Sequence, residues 1–245
     1  MDLPIRTFQE LYHFGTMNIK DRKDSSYEGN TLSVSLHPTS WMQIMDESNF
    51  VFKMDGKIRL VDIYEFLLLY QNDIITWALT NNVIQPKDIY KVYYYDSETD
   101  EINYMSFNDK SDALKEVELE DYLETSNEND MKQILNEYSY ALLTYSGYIF
   151  TEQGMKNIRQ KENIVEMDTL ALLFLESIKK DYDIDGCWWN NNLNPDLLTA
   201  PSGGLFLDNI HYEKWKKVNY TLDLEDESYV EIPEIKTCDY RNGLG

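Results

Sequence analysis

Three stretches of this chain carry residue types at spacings that can do chemistry. Tyr182-Asp183-Ile184-Asp185-Gly186-Cys187-Trp188-Trp189 sets a carboxylate, Asp185, just before a short aromatic strand. Leu11-Tyr12-His13-Phe14-Gly15-Thr16 ends an early strand with an imidazole and a Gly-Thr turn. Leu32-Ser33-Val34-Ser35-Leu36 alternates strictly, so Ser33 and Ser35 share one face and leave room for a ligand. A carboxylate at a strand mouth stabilises positive charge as it develops, and aromatic faces stack a flat ring and exclude water. Each residue also has a structural reading. His13 can be a hydrogen-bonded core histidine, and the two serines can be the polar face of an edge strand. Asp185 before Gly186 forms turns, Cys187 suits an inert buried thiol, and of Trp188 and Trp189 one faces the core while the other reaches a cleft.

Taken together and in this order, the three stretches resemble the ADP-ribosyltransferase-like superfamily, the fold of diphtheria-type toxins and poly-ADP-ribose polymerases. The resemblance covers roughly residues 8–41 and 166–207. It implies split antiparallel sheets around a cleft that takes NAD as substrate. His13, Phe14, Gly15 and Thr16 would hold the cofactor, Ser33, Ser35 and Trp188 would line the nicotinamide pocket, and Asp185 would be the catalytic acid beside His13. The acceptor would be a protein or nucleic acid, as in toxins and phage–bacteria conflict. This chain departs from the family's glutamate, often Glu-x-Glu or Gln-x-Glu, because no glutamate lies between Asp181 and Ile210. Asp185 would act with a shorter reach, or the protein would bind NAD without turning it over, or bind no nucleotide.

The elements that must position these residues can be read along the chain. Strand signals fall at Thr7 to Gly15 and Leu32 to Leu36, and Asp55-Gly56 reads as a hairpin turn between Asn49–Met54 and Lys57–Leu60. Val61 to Leu79 carries apolar residues at helical spacing, broken by Asn81-Asn82 and Pro86. Ile89–Tyr95 and Ile102–Phe107 form a hairpin with an acidic tip, Asp130 to Tyr145 reads as a helix, and Thr151 caps another to Gln160. Met167 to Lys180 is the clearest helix, with Asp168 as its cap and Lys179-Lys180 in the last turn. An Asp-Gly turn at Asp185-Gly186, a core strand at Gly204–Leu207, terminal strands or extended arms at Tyr212–Trp215 and Asn219–Ile232, and a mobile tail from Cys238 complete the chain. The pattern predicts one α+β domain over residues 1–245, with residues 60–165 as a mostly helical insertion bearing the acidic hairpin.

Composition bounds the partners. The 245 residues, 42% apolar and 13% aromatic, suffice for a large core. The formal charge is −22, and its placement matters more than its size. Asp96 to Asp130 holds 13 acids against two lysines, and Asp223 to Glu234 holds six acids and no base. Such blocks disfavour phosphate backbones and anionic membranes. They fit either a solvated surface or a docking face for a basic partner, as in an inhibitor, immunity factor or DNA mimic. His13, His37 and His211 are too scattered for a zinc site, and no phosphate-binding glycine loop or nucleophile elbow is present. Two cysteines, no signal sequence and no long apolar run predict a soluble cytoplasmic protein.

Overall fold

The computed structural model describes residues 1–14, 17, 31–36, 51–99, 101–117, 121–156, 158, 163–189, 203–223 and 228–236. It is mixed α+β with two sheets and divides into two compact units. Unit 1 is Met1–Ile75, Ile158–Gln160 and Met167–Gly245; unit 2 is Thr76–Asn157 and Lys161–Glu166.

Unit 1 is organised on a long strand, β3 (Val51–Asp62). One edge of β3 pairs antiparallel with β1 (Ile5–Phe14) along almost its whole length. The other edge takes β10 (Trp215–Asp223) over Val51 to Met54, and β8 (Gly186–Trp188), in parallel, over Leu60 to Asp62. From β8 the sheet continues through β9 (Gly203–Phe206) to β2 (Thr31–Val34), and β11 (Ser228–Lys236) pairs outside β10. The sheet curls until β2 meets β1: Tyr12 and Ser35 exchange two backbone hydrogen bonds of 2.9 Å. Tyr12 is opposite Lys53 in one direction round this curl. In the other, through Ser35 and the Val34–Gly203–Trp188 row, it comes level with Asp62 and beyond. That is a stagger of about ten residues across five strands, so the strands tilt steeply and enclose a narrow interior. Leu11, Leu32, Val34, Ile58, Leu60, Trp188, Leu205 and Trp215, all buried, fill it.

The Asp55-Gly56 signal belongs to this sheet and makes no hairpin, because β3 runs straight through it. Gly56 has φ +138°, and the β1–β3 register slips between Phe8 and Glu10. The positive φ that would serve a two-residue turn serves a β-bulge here, since β1 offers partners on both sides of it.

Two helices flank this sheet. α1 (Ile63–Thr80) starts on Asp62, whose carboxylate accepts from the Glu65 amide at 3.1 Å, and ends on Asn82 at φ 54°. α5 (Met167–Tyr182) has Asp168 inside its first turn and ends on Asp183 at φ 52°, with the Ile184 amide bonded back to the Lys179 carbonyl. Both helices close with an Asx residue in the left-handed conformation where glycine is commoner.

Unit 2 corrects the expectation of a mostly helical insertion: its body is a four-stranded sheet. The order is β5 (Glu101–Phe107), β4 (Ile84–Asp96), β7 (Tyr140–Phe150), β6 (Tyr122–Thr125). The helix read over Asp130–Tyr145 is only α3 (Met131–Ile134), and the rest of that run enters β7. Apolar residues in the run fit a helical template, but Tyr140 to Phe150 is rich in aromatic and β-branched residues. As an interior strand, β7 is paired on both sides and loses the alternation that identifies a half-exposed strand. Pro86 sits in the part of β4 that pairs only with β7, where a missing amide is tolerated. α2 (Lys110–Glu116) covers one face through Ala113, with Val117 beside it, and α3 covers the other through Met131 and Ile134. Thr151 caps α4 (Glu152–Met155), accepting from the Gly154 amide at 3.1 Å.

Candidate functional site

His13 lies in β1 opposite Phe52, on the same face as Leu11 and therefore on the core side. Its imidazole is 6% exposed, stacks on Phe52 at 6.5 Å and meets Trp215 edge to face at 6.3 Å. Nδ1 is 2.7 Å from the Ser33 carbonyl. A carbonyl only accepts, so Nδ1 carries a proton and donates it to Ser33. Trp215 Nε1 is the only buried side-chain nitrogen or oxygen among the described residues without a hydrogen-bond partner. The polar edge of this aromatic cluster is thus not fully satisfied.

Ser33 pairs opposite Gly204 in β9, and Ser35 opposite Tyr12. Both are buried, at 6% and 2% exposed, which differs from the open hydroxyl face read from their alternation. The curl explains it: β2 is held between β9 and the end of β1 and has no free edge there. The structure therefore joins the first two predicted stretches directly, His13 to the Ser33 backbone and Tyr12 to Ser35. The backbone of Phe14 closes β1 opposite Val51. Gly15 and Thr16 lie outside the described residues.

Asp185 is placed by a residue that the sequence did not single out. Arg59 of β3 donates its amide to Asp185 Oδ2 at 2.7 Å and receives the Asp185 amide at 2.8 Å. Its guanidinium holds Asp183 through the carbonyl at 2.7 Å and the carboxylate at 2.8 Å. The Phe206 amide bonds to the Asp185 carbonyl at 2.9 Å. Asp185 is half-buried, and its Oδ1 has no hydrogen bond to a described residue. Arg59 alternates with the buried Ile58 and Leu60 and so points away from the interior of the curl, and nothing local links it to a turn more than a hundred residues away.

The chain reverses at Asp183, not at Asp185-Gly186. Gly186 is required for a different reason: a Cβ there would fall 1.9 Å from the Gly204 carbonyl oxygen. Trp188 is 1% exposed and packs on Phe8 at 4.6 Å, so its ring belongs to the core. Cys187 is fully buried with its Sγ 3.7 Å from the Gly204 carbonyl, and burial pushes its thiol far above the ordinary range.

Level for level, His13 and Asp185 are not neighbours. His13 is opposite Phe52, whereas Asp185 docks at Arg59, seven positions further along β3, or roughly 20 Å of strand. By the other way round the curl they are separated by β2, β9 and β8. Among the described residues, no group of three His, Cys, Asp or Glu side chains is arranged to hold a metal, and no helix is long and apolar enough to cross a membrane.

Unit 2 carries the Asp96–Asp130 acidic block. Of the acidic block, Glu98, Glu101, Asp109, Asp112, Glu116, Glu124, Glu128 and Asp130 are exposed. The block's two lysines are spent within it, Lys110 on Glu124 at 2.9 Å and Lys115 on Asp112 at 2.6 Å. Above the sheet, Lys91 Nζ lies 4.4 Å from the ring centre of Tyr104 and 5.5 Å from that of Tyr145. Beside them Tyr93 donates its hydroxyl to Glu128, and burial followed by that carboxylate pushes its phenol far up.

Comparison with family models, curated proteins and solved structures finds no match to the chain.

Proposed function

We propose that unit 1 is an NAD-binding, ADP-ribosyltransferase-like module, and that this chain transfers ADP-ribose to a macromolecular acceptor. The observation that carries the reading is the His13–Ser33 contact, with Nδ1 and the carbonyl oxygen 2.7 Å apart. Two stretches that resemble the family's first two elements, twenty residues apart in sequence, meet at one place. The stretch resembling the third, with Asp185, lies in the same unit, and most of the intervening chain forms a separate one. His13 would present a ring fixed by Ser33, with Phe14, Gly15 and Thr16 following it along the cofactor. Ser33, Ser35 and Trp188 would support the pocket wall from behind.

In the reaction, the bond from nicotinamide nitrogen to the ribose breaks and its electron pair leaves with nicotinamide. The ribose develops positive charge, and an acceptor nucleophile bonds to it and gives up a proton. Asp185, anchored through one oxygen to the Arg59 amide, would oppose that charge with the other, stabilising the transition state more than the ground state. This requires the cleft to draw Asp185 towards His13. Calorimetry of NAD with wild type, His13→Gln and Asp185→Asn, with nicotinamide release followed in parallel, tests it. Binding weakened by His13→Gln, and release abolished by Asp185→Asn with binding retained, is the expected pattern. No heat at roughly millimolar NAD, where a site worth only about 4 kcal/mol would half fill, removes the reading.

A second reading rests on a different observation, the uncompensated acids of unit 2. With Lys110 and Lys115 already paired inside the block, its exposed carboxylates are available to a basic protein. Unit 2 would then recruit a partner or acceptor, or the whole chain would act as a non-enzymatic inhibitor. Binding of that kind weakens steeply with salt, whereas a cleft reading NAD by stacking and backbone contacts does not.

A further inference from the structure

We propose that β5 is a docking edge that takes a basic, extended segment of another protein as an added strand. The proposal rests on the second reading and specifies its place and geometry.

β5 is an end of its sheet, and its pairing with β4 is unbroken from Tyr90–Phe107 to Asp96–Glu101. In an antiparallel pair, alternate residues turn their N–H and C=O away from the partner, so about half of the seven offer backbone groups outward. No described backbone group takes them up. None of the seven residues is buried.

The other sheet edges differ from β5: the outer edge of β1 carries charged Arg6 and Glu10, each in an ion pair, and meets β2 only at Tyr12–Ser35. β6 is four residues long and carries Glu124 in an ion pair with Lys110. β2 is four residues long and is bridged to β1 through Ser35. β5, with the sequence Glu-Ile-Asn-Tyr-Met-Ser-Phe, has no lysine, no proline and no bulge. A long, regular edge without those devices pairs with another strand when one is presented.

Charge selects the occupant. β5 runs through the acidic block, with Asp96, Glu98 and Glu101 at one end and Asp109, Asp112 and Glu116 beyond the other. Two copies of this chain would bring the same acids together, each chain at −22. A strand with lysine or arginine between β-branched residues pairs the charges and extends the sheet. Its side chains would meet Tyr104, 54% exposed beside Lys91.

The test titrates the ¹⁵N-labelled full chain with the peptide acetyl-Lys-Val-Lys-Val-Arg-Val-Lys-amide. The control peptide has proline in place of each valine, keeping the charge and removing the capacity to pair. Amide exchange should slow at alternate residues of Glu101–Phe107. The control, and the Ser106→Lys chain with the original peptide, should each bind about tenfold more weakly, the loss of a few main-chain bonds or of one favourable charge. Equal affinity for both peptides, or binding without protection in β5, overturns the docking edge and leaves the acidic-partner reading standing. No binding of either peptide at roughly millimolar concentration overturns both. A dimer in sedimentation that Ser106→Lys dissociates overturns the proposal in favour of a second copy as the occupant.

Discussion

The two units spend their polar residues in opposite ways. In unit 1 the groups that could do chemistry are turned inward and tied to backbone: His13 to Ser33, Asp185 to Arg59, Cys187 against Gly204. In unit 2 the charged groups are outside, on helix termini, hairpin ends and an open strand edge. A steeply staggered curl leaves little room between its walls, so side chains on its inner face are mostly apolar, with Trp215 Nε1 the one buried polar side-chain atom among the described residues left without a partner. A four-stranded sheet with short helices on its faces imposes no such rule at its periphery. Substitutions in unit 1 should therefore be read first as changes in stability, and those in unit 2 first as changes in association.

The largest effects should separate the units most clearly. Trp188→Ala removes a fully buried indole packed at a tilt on Phe8 and should cost about 3–5 kcal/mol. Gly186→Ala sets a methyl group against the backbone carbonyl of Gly204, which cannot yield without parting β8 from β9, and should cost about 3 kcal/mol or more. The matching change in unit 2, Gly147→Ala, meets Cγ1 of the buried Ile89 at 2.8 Å, a side-chain atom that can shift where a backbone carbonyl cannot; about 1–2 kcal/mol is expected. Hydrogen exchange resolved by peptide measures each unit's loss separately. If Gly147→Ala proves as damaging as Gly186→Ala, unit 2 is packed as rigidly as unit 1 and the contrast fails.

Alkaline pH should sharpen the contrast next. Cys187 and Tyr93 both have folded values raised above their ordinary ones, burial being the first cause in each. The unfolded chain releases these protons first, so the stability each contributes is present below its ordinary value and is lost as pH rises towards the folded value. For the thiol the loss begins near its ordinary 9.0, and for the phenol near 10.0. Unit 1 should weaken about one pH unit earlier than unit 2, with a limiting slope near 1.4 kcal/mol per pH unit. Cys187→Ala should remove the first slope and Tyr93→Phe reduce the second, the remainder coming from Tyr145, whose phenol is also raised by burial. Denaturant midpoints across pH 8–11 in the two variants check it, and an unchanged slope in Cys187→Ala would contradict the burial of the thiol.

What was legible in the sequence follows the same division. The helices Ile63–Thr80 and Met167–Tyr182 were read nearly to their ends, because amphipathic spacing and termini are local signals. The strands holding His13 and Ser33 were also read, as was the hairpin of β4 and β5. What eluded reading was non-local. Nothing in Leu32–Leu36 announces that Ser35 will close a curl on Tyr12, and nothing near Asp185 announces Arg59. Asp55-Gly56 and Tyr140–Phe150 each admit two local structures, and the neighbouring strand decides between them. The sequence therefore placed the strands that carry these residues along the chain, but not the pairings that bury them.

The smallest expected effect is the one most specific to unit 2. Glu98→Gln, Glu101→Gln and Glu116→Gln together remove three exposed charges, and no described lysine or arginine pairs with any of them. Each sits among like charges, so neutralisation relieves repulsion; the groups are solvated, so the relief is small. A change in unfolding free energy within about 0.5 kcal/mol, stabilising if anything, is expected at low salt, and it should vanish as salt screens the block. A loss above about 1 kcal/mol would mean that these acids hold unit 2 together. The triple variant should meanwhile lose affinity for the basic peptide. Stability unchanged while binding falls is the result that assigns the acids to a partner and not to the fold, and calorimetry with denaturant titration on one protein sample reads both.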